Sequence, residues 1–248
     1  MLFTSATAHL MHQRNDLIHL TCFMCDYAGI SFYAFGSSTI LIYSSSLIKI
    51  YQLIEPFYIY LIGLHCALSF SLAAFALIFY DKRPFPKVKR VIQLAPLGIL
   101  WTLSMFTVFI GLFLNDDNES FSLKINYFNH VVHAVVFLSG VAFFAFEIPQ
   151  RFYPGKFDFF GQGHHWFHLS VVVTNVLQLK SCYSDFLENR GIIVATRDPP
   201  SLFFWLFSML LLITYYIYAI RFFRQLKANK IDKSGNFVVN QIECLKNE

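Results

Sequence analysis

Long apolar runs separated by short polar or basic connections dominate the chain. Read by length and flanks, they fall at about 1–12, 21–46, 56–80, 91–114, 127–148, 165–183 and 201–223. A helix needs roughly 20 apolar residues to cross a bilayer, so six runs are long enough and the first is too short. The pattern predicts an all-α fold, a polytopic transmembrane helix bundle over residues 1–223, followed by a polar tail at 224–248. The first run opens directly in Leu2-Phe3, without the basic start and small-residue cleavage pattern of a signal peptide, and reads as a helix missing its beginning. The run at 21–46 carries Gly29, Ser31, Gly36, Ser37 and Ser38; small residues let helices approach closely, so it is expected inside the bundle. The run at 165–183 carries Ser170, Thr174, Asn175, Gln178 and Lys180, which lipid penalises, and it is expected to line an interior cavity.

Composition sharpens this picture. Of 248 residues, 56% are hydrophobic, 14% are charged and 30 are Phe, with mean hydropathy +0.52. This excludes a soluble globule and leaves no room for a large soluble domain. The net charge of +4 is scattered between apolar runs, so no nucleic-acid partner is expected. Five irregularly placed Cys make no disulfide framework, and Cys22 and Cys25 read as small packing residues. Sorting Lys and Arg by alternate connections puts 14 in one set (Arg14, the 82–90 cluster, Arg151, Lys156 and the tail) against 5 in the other. Short cytoplasmic loops hold the excess, so the C-terminus is expected in the cytoplasm. The sequon Asn118-Glu119-Ser120 then falls outside.

This orientation brings candidate chemistry to one leaflet. His9 lies near the cytoplasmic end of the first helix, Asp26 about a turn and a half into the second, and His164 and His168 in the first turns of the sixth. An i, i+4 His pair stacks on one helix face with Cβ atoms about 5–6 Å apart, a pitch that suits one metal. A third ligand from another helix, with His9 the candidate, would leave an open tetrahedral position, the pattern of catalytic zinc. Ser5 lies one turn from His9 on the same face, and Asp26 could orient a bound water. The alternatives stay open: an H-x3-H pair alone is more often interfacial or structural, and His165 offers a competing H-x2-H pair with His168. His65, His130 and His133 fall toward the other leaflet and read as interfacial or buried hydrogen-bonded groups.

Four motifs sharpen the reading: Ser5-x3-His9, Asp26-x2-Gly29, the connection Pro149-Gln150-Arg151-Phe152-Tyr153-Pro154-Gly155-Lys156-Phe157-Asp158, and His164-x3-His168. Together they resemble the progestin and adipoQ receptor family, related to the hemolysin III proteins, from residue 1 to about 183. The resemblance implies a zinc ion held by His9, His164 and His168, with Asp26 reaching it through water and Ser5 assisting hydrolysis. The extra span at 201–223 resembles the membrane progestin receptor branch. Family members begin with a soluble segment and a complete first helix, so this chain is similar to helices 2 to 8 with the first one clipped, an N-terminally truncated form.

Two readings follow from the resemblance. In one, a multi-pass plasma-membrane receptor binds a steroid-like ligand and signals to a cytoplasmic partner. In the other, a ceramidase-type enzyme uses zinc, Asp26 and Ser5 to hydrolyse the amide of a sphingolipid-like substrate in the lipid bilayer.

Overall fold

Side-chain oxygens start two of the helices. Asn15 accepts the Ile18 N–H at 2.8 Å, and Asn126 accepts the Asn129 N–H at 3.3 Å, each satisfying a donor that the first helical turn leaves orphaned. The computed structural model describes residues 2–11, 13–79, 86–113, 124–157, 159–198 and 202–246, and contains no strand among them. The elements are α1 (Leu2–Met11), α2 (Asp16–Ser45), α3 (Ile48–Phe79), α4 (Pro86–Phe109) with a 3-10 turn (Ile110–Leu112), α5 (Tyr127–Ala145), α6 (Gly163–Glu188), α7 (Arg190–Thr196) and α8 (Leu202–Lys246). The Asn118 sequon lies outside the described residues.

The helices α3, α4 from Val91, α5, and α8 over Leu202–Asp232 are long and apolar enough to cross a membrane. With 30 and 26 residues, α2 and α6 run for about 45 and 39 Å. They have the length to cross but carry the polar residues that the sequence pattern singled out. The protein is a polytopic helical membrane protein. Because α2 begins at Asp16, upstream of its apolar run, Asp26 lies about three turns into the helix, deeper than the apolar pattern alone indicates.

The chain divides into two compact units, one formed by residues 1–39, 54–104 and 199–248, the other by 40–53 and 105–198. The first is centred on Leu20, Met24, Phe35, Ile62, Cys66, Phe70, Leu77 and Tyr216, contributed by α2, α3 and α8. Ser31 and Ser38 are buried, and Ser38 Oγ meets Ser104 Oγ of α4 at 2.6 Å. Gly36, in contrast, has open space around it, so only part of the small-residue stripe serves close packing. His65 Nε2–H donates to Pro96 O at 2.7 Å, which makes it a hydrogen-bonded group. α8 continues past residue 223, where the sequence pattern placed the start of the tail. Its inner face still has partners: Phe223 and Leu226 pack on the core, and Lys230 Nζ reaches Ile78 O at 3.4 Å above the Phe79 ring, at the C-terminus of α3, where a cation is favoured.

In the second unit α5 and α6 run antiparallel: the start of α5 meets the end of α6 through His130 and Asp185, and small residues let them approach between. A methyl group on Gly163 would collide with the Phe143 and Ile148 carbonyls, and one on Gly140 with Ser170. Thr174, Gln178, Ser181, Cys182 and Asp185 form the buried face of α6. Lys180 departs from the sequence expectation: it lies on the exposed face, because a helix that buries 174, 178 and 181 turns position 180 outward.

Candidate metal centre

The first turns of α6 bring His164 and His168 together. Their Nε2 atoms are 3.1 Å apart and the rings stand at 90° with centroids 4.6 Å apart. Phe144 flanks the His164 ring at 5.3 Å and Phe167 flanks His168 at 5.8 Å, giving both imidazoles half-buried, apolar surroundings. Two nitrogens sharing a tetrahedral zinc at Zn–N of about 2.0–2.1 Å stand roughly 3.3–3.4 Å apart, so the observed spacing is close to a ligating one. The α6 terminus is fixed from both sides: Gly163 packs against α5, and its N–H donates to Gln150 Oε1 at 2.8 Å.

His165 is occupied elsewhere. Its Nδ1 accepts the Gly161 N–H at 3.1 Å, and Trp166 Nε1–H donates to Gly161 O at 3.1 Å. Both residues hold the turn in which Gly161 adopts φ 81°, a conformation that glycine takes without steric cost. Of the two pairs that the spacing left open, the structure brings together His164 and His168.

In the first unit, α1 buries Ser5 and Ala8 and presents His9 with its ring edge-on to Phe23 of α2 at 5.7 Å. One turn along α2 from Phe23, Asp26 faces the Ser5 hydroxyl. Ser5 Oγ and Asp26 Oδ1 are nevertheless buried without a formed hydrogen bond. Buried polar atoms with unused capacity are uncommon and call for an explanation. Adjacent hydroxyl and carboxylate oxygens with spare capacity, beside a helix that carries His9, fit the surroundings of a hydrated metal. The imidazole pair of α6 and, within the first unit, the imidazole of α1 and carboxylate of α2 are each donor types that suit zinc.

At the other end of α5 and α6, His130 is the buried hydrogen-bonded group that the sequence suggested, but sequence reasoning missed its partners. His130 and Asp185 are fully buried, and His130 Nε2–H donates to Asp185 Oδ2 at 2.7 Å. The Asn126 N–H donates to Asp185 Oδ1 at 3.0 Å. Asn189 exchanges hydrogen bonds with the Lys124 backbone at 2.7 and 2.8 Å. The available signal was Asp185 itself, which continues the 174, 178, 181 spacing of the α6 interior. Arg197, also buried, donates to the carbonyls of Ile42, Tyr43 and Ser46 at the end of α2 and stacks on Tyr51 at 4.8 Å. Burial pulls its guanidinium down to about 10, which leaves it charged at neutral pH, as a helix C-terminus favours.

A bundle of membrane helices with a histidine pair at the start of one of them defines the class of protein. The comparisons then identify the family: the Haemolysin-III-related family matches residues 1–179, and the chain belongs to it. The chain is 27% identical over 199 residues to membrane progestin receptor beta of Sus scrofa, covering 80% of this chain and 55% of that protein. It is 30% identical over 192 residues to membrane progestin receptor alpha of Cynoscion nebulosus, covering 75% and 52%. A third relative, membrane progestin receptor beta of Homo sapiens, is 26% identical over 200 residues, covering 81% and 56%. The chain thus spans about half the length of the curated relatives it matches, and the membrane progestin receptor branch is the one that the extra span at 201–223 indicated. No solved structure matches the chain.

Proposed function

We propose that this protein is a membrane receptor for a progestin-like steroid, with a zinc ion held by His9, His164 and His168, each offering one ring nitrogen. The observation that carries the metal reading is the 3.1 Å approach of the His164 and His168 Nε2 atoms, with His165 turned to a different task. The steroid reading is supported by the names of the relatives. Ligand binding then shifts the population of a bundle state recognised by a cytoplasmic partner. We place the protein in the plasma membrane with residues 224–248 on the cytoplasmic side, following the excess of Lys and Arg. The test is paired: metal analysis of the purified protein, expected to return about one zinc per chain, and binding of radiolabelled progesterone in nanodiscs. Absence of zinc removes the metal site; zinc without steroid binding removes the receptor.

The unused capacity of Ser5 Oγ and Asp26 Oδ1 favours a second reading, hydrolysis of a ceramide-like amide. Zinc bound at this site supplies Lewis-acid polarisation and lowers the pKa of water toward neutrality. Asp26 would take up a proton at Oδ1, and the Ser5 hydroxyl would donate to the carbonyl oxygen as negative charge develops there. Turnover of defined ceramides, lost in Asp26→Ala, tests it.

A further inference from the structure

From Leu202 to Ile220, α8 carries no charged residue. At 1.5 Å per residue this stretch is about 28 Å long, nearly the ~30 Å hydrocarbon thickness of a bilayer. Arg221 is therefore the first charge at the hydrocarbon edge, and Arg224 follows one turn later. Both are exposed, and their i, i+3 spacing makes the side chains neighbours. Among the described residues neither guanidinium is paired with a carboxylate, and the next acidic residue along the helix, Asp232, lies about two turns beyond Arg224.

The cations that follow are used differently. Lys227 is buried, and Lys230 reaches the end of α3. Exposed Leu210, Leu211, Ile217, Tyr218 and Phe222 lead along α8 to the two arginines, an apolar face of acyl-chain length ending in a pair of guanidinium forks. We propose that Arg221 and Arg224 bind the phosphate of an anionic phospholipid whose acyl chains lie along this face of α8. Guanidinium groups match phosphate oxygens in paired hydrogen bonds, and two positive charges with no carboxylate partner among the described residues favour a headgroup with net negative charge over a zwitterionic one.

The test uses the full chain in nanodiscs of phosphatidylcholine with a minor fraction of phosphatidylserine, counting each lipid retained after stringent detergent washing. The wild type is expected to retain phosphatidylserine preferentially. The Arg221→Gln, Arg224→Gln double variant should lose that preference by about tenfold, and the Arg→Lys double variant should keep most of it. Zinc content and thermal midpoint read on the same samples separate this site from the histidine centre. Equal retention of the two lipids by the wild type, or a preference unchanged in the Gln variant, overturns the proposal. So does a preference lost only together with the fold.

Discussion

Gly140 of α5 lies directly against Ser170 of α6: a methyl group there would come 2.5 Å from Ser170 Cβ and 2.8 Å from Oγ. Inside a membrane, helices gain little from excluding water and associate through packing and hydrogen bonds, so such contacts set how closely α5 can hold the helix that carries His164 and His168.

Gly140→Ala is expected to push α5 and α6 apart at a cost of about 1–3 kcal/mol. Ser170→Gly in the same chain should recover much of it, because the collision is with that side chain. Thermal unfolding in detergent of the two single variants and the double variant measures the coupling. A double variant as unstable as the sum of the singles would mean that the two positions do not share one contact.

His130→Leu should be among the most destabilising single changes in the α5 and α6 pair, at about 3–5 kcal/mol, because it strands a buried carboxylate. Adding Asp185→Asn should restore stability, since the amide removes the charge while keeping an oxygen for the Asn126 N–H. Failure of the second change to rescue the first would show that His130 acts through packing alone.

Much of this architecture is legible in the sequence because lipid imposes a simple rule of length and apolarity, and α3, α5 and α8 obey it. The pair at His164 and His168 is legible for a related reason: helical pitch fixes which side chains share a face. What stays hidden is set by long-range pairing. Nothing local to Asp185 says that His130, 55 residues earlier, will meet it. Nothing near Arg197 says that its partners are the Ile42, Tyr43 and Ser46 carbonyls. Helix ends escape for another reason, since α8 is extended past residue 223 by contacts with α3 that an apolarity scan does not register.

Arg197→Leu removes the donors that close the end of α2, and a loss of about 3 kcal/mol or more is expected from the carbonyls left buried and unpaired. Arg197→Lys should recover little, because an ammonium group has neither the planar fork that spans three carbonyls nor the face that stacks on Tyr51. Near-wild-type thermal stability in the Lys variant would show that charge alone at the helix terminus is what counts.

The competing histidine pairs make the metal centre separable from its surroundings. His164→Ala and His168→Ala each remove a proposed ligand and should abolish zinc retention. His165→Ala, one residue away and tied to the Gly161 turn, should keep about one zinc per chain with only a modest loss of stability. His9→Ala should behave like the α6 ligands, whereas Asp26→Ala, acting through the surroundings of the ion, should weaken zinc by about 10- to 100-fold without eliminating it. Mass spectrometry of metal content after dialysis against graded chelator orders the five proteins. Zinc loss in His165→Ala equal to that in His164→Ala would shift the ligand pair by one residue, and full retention in His9→Ala would detach α1 from the centre.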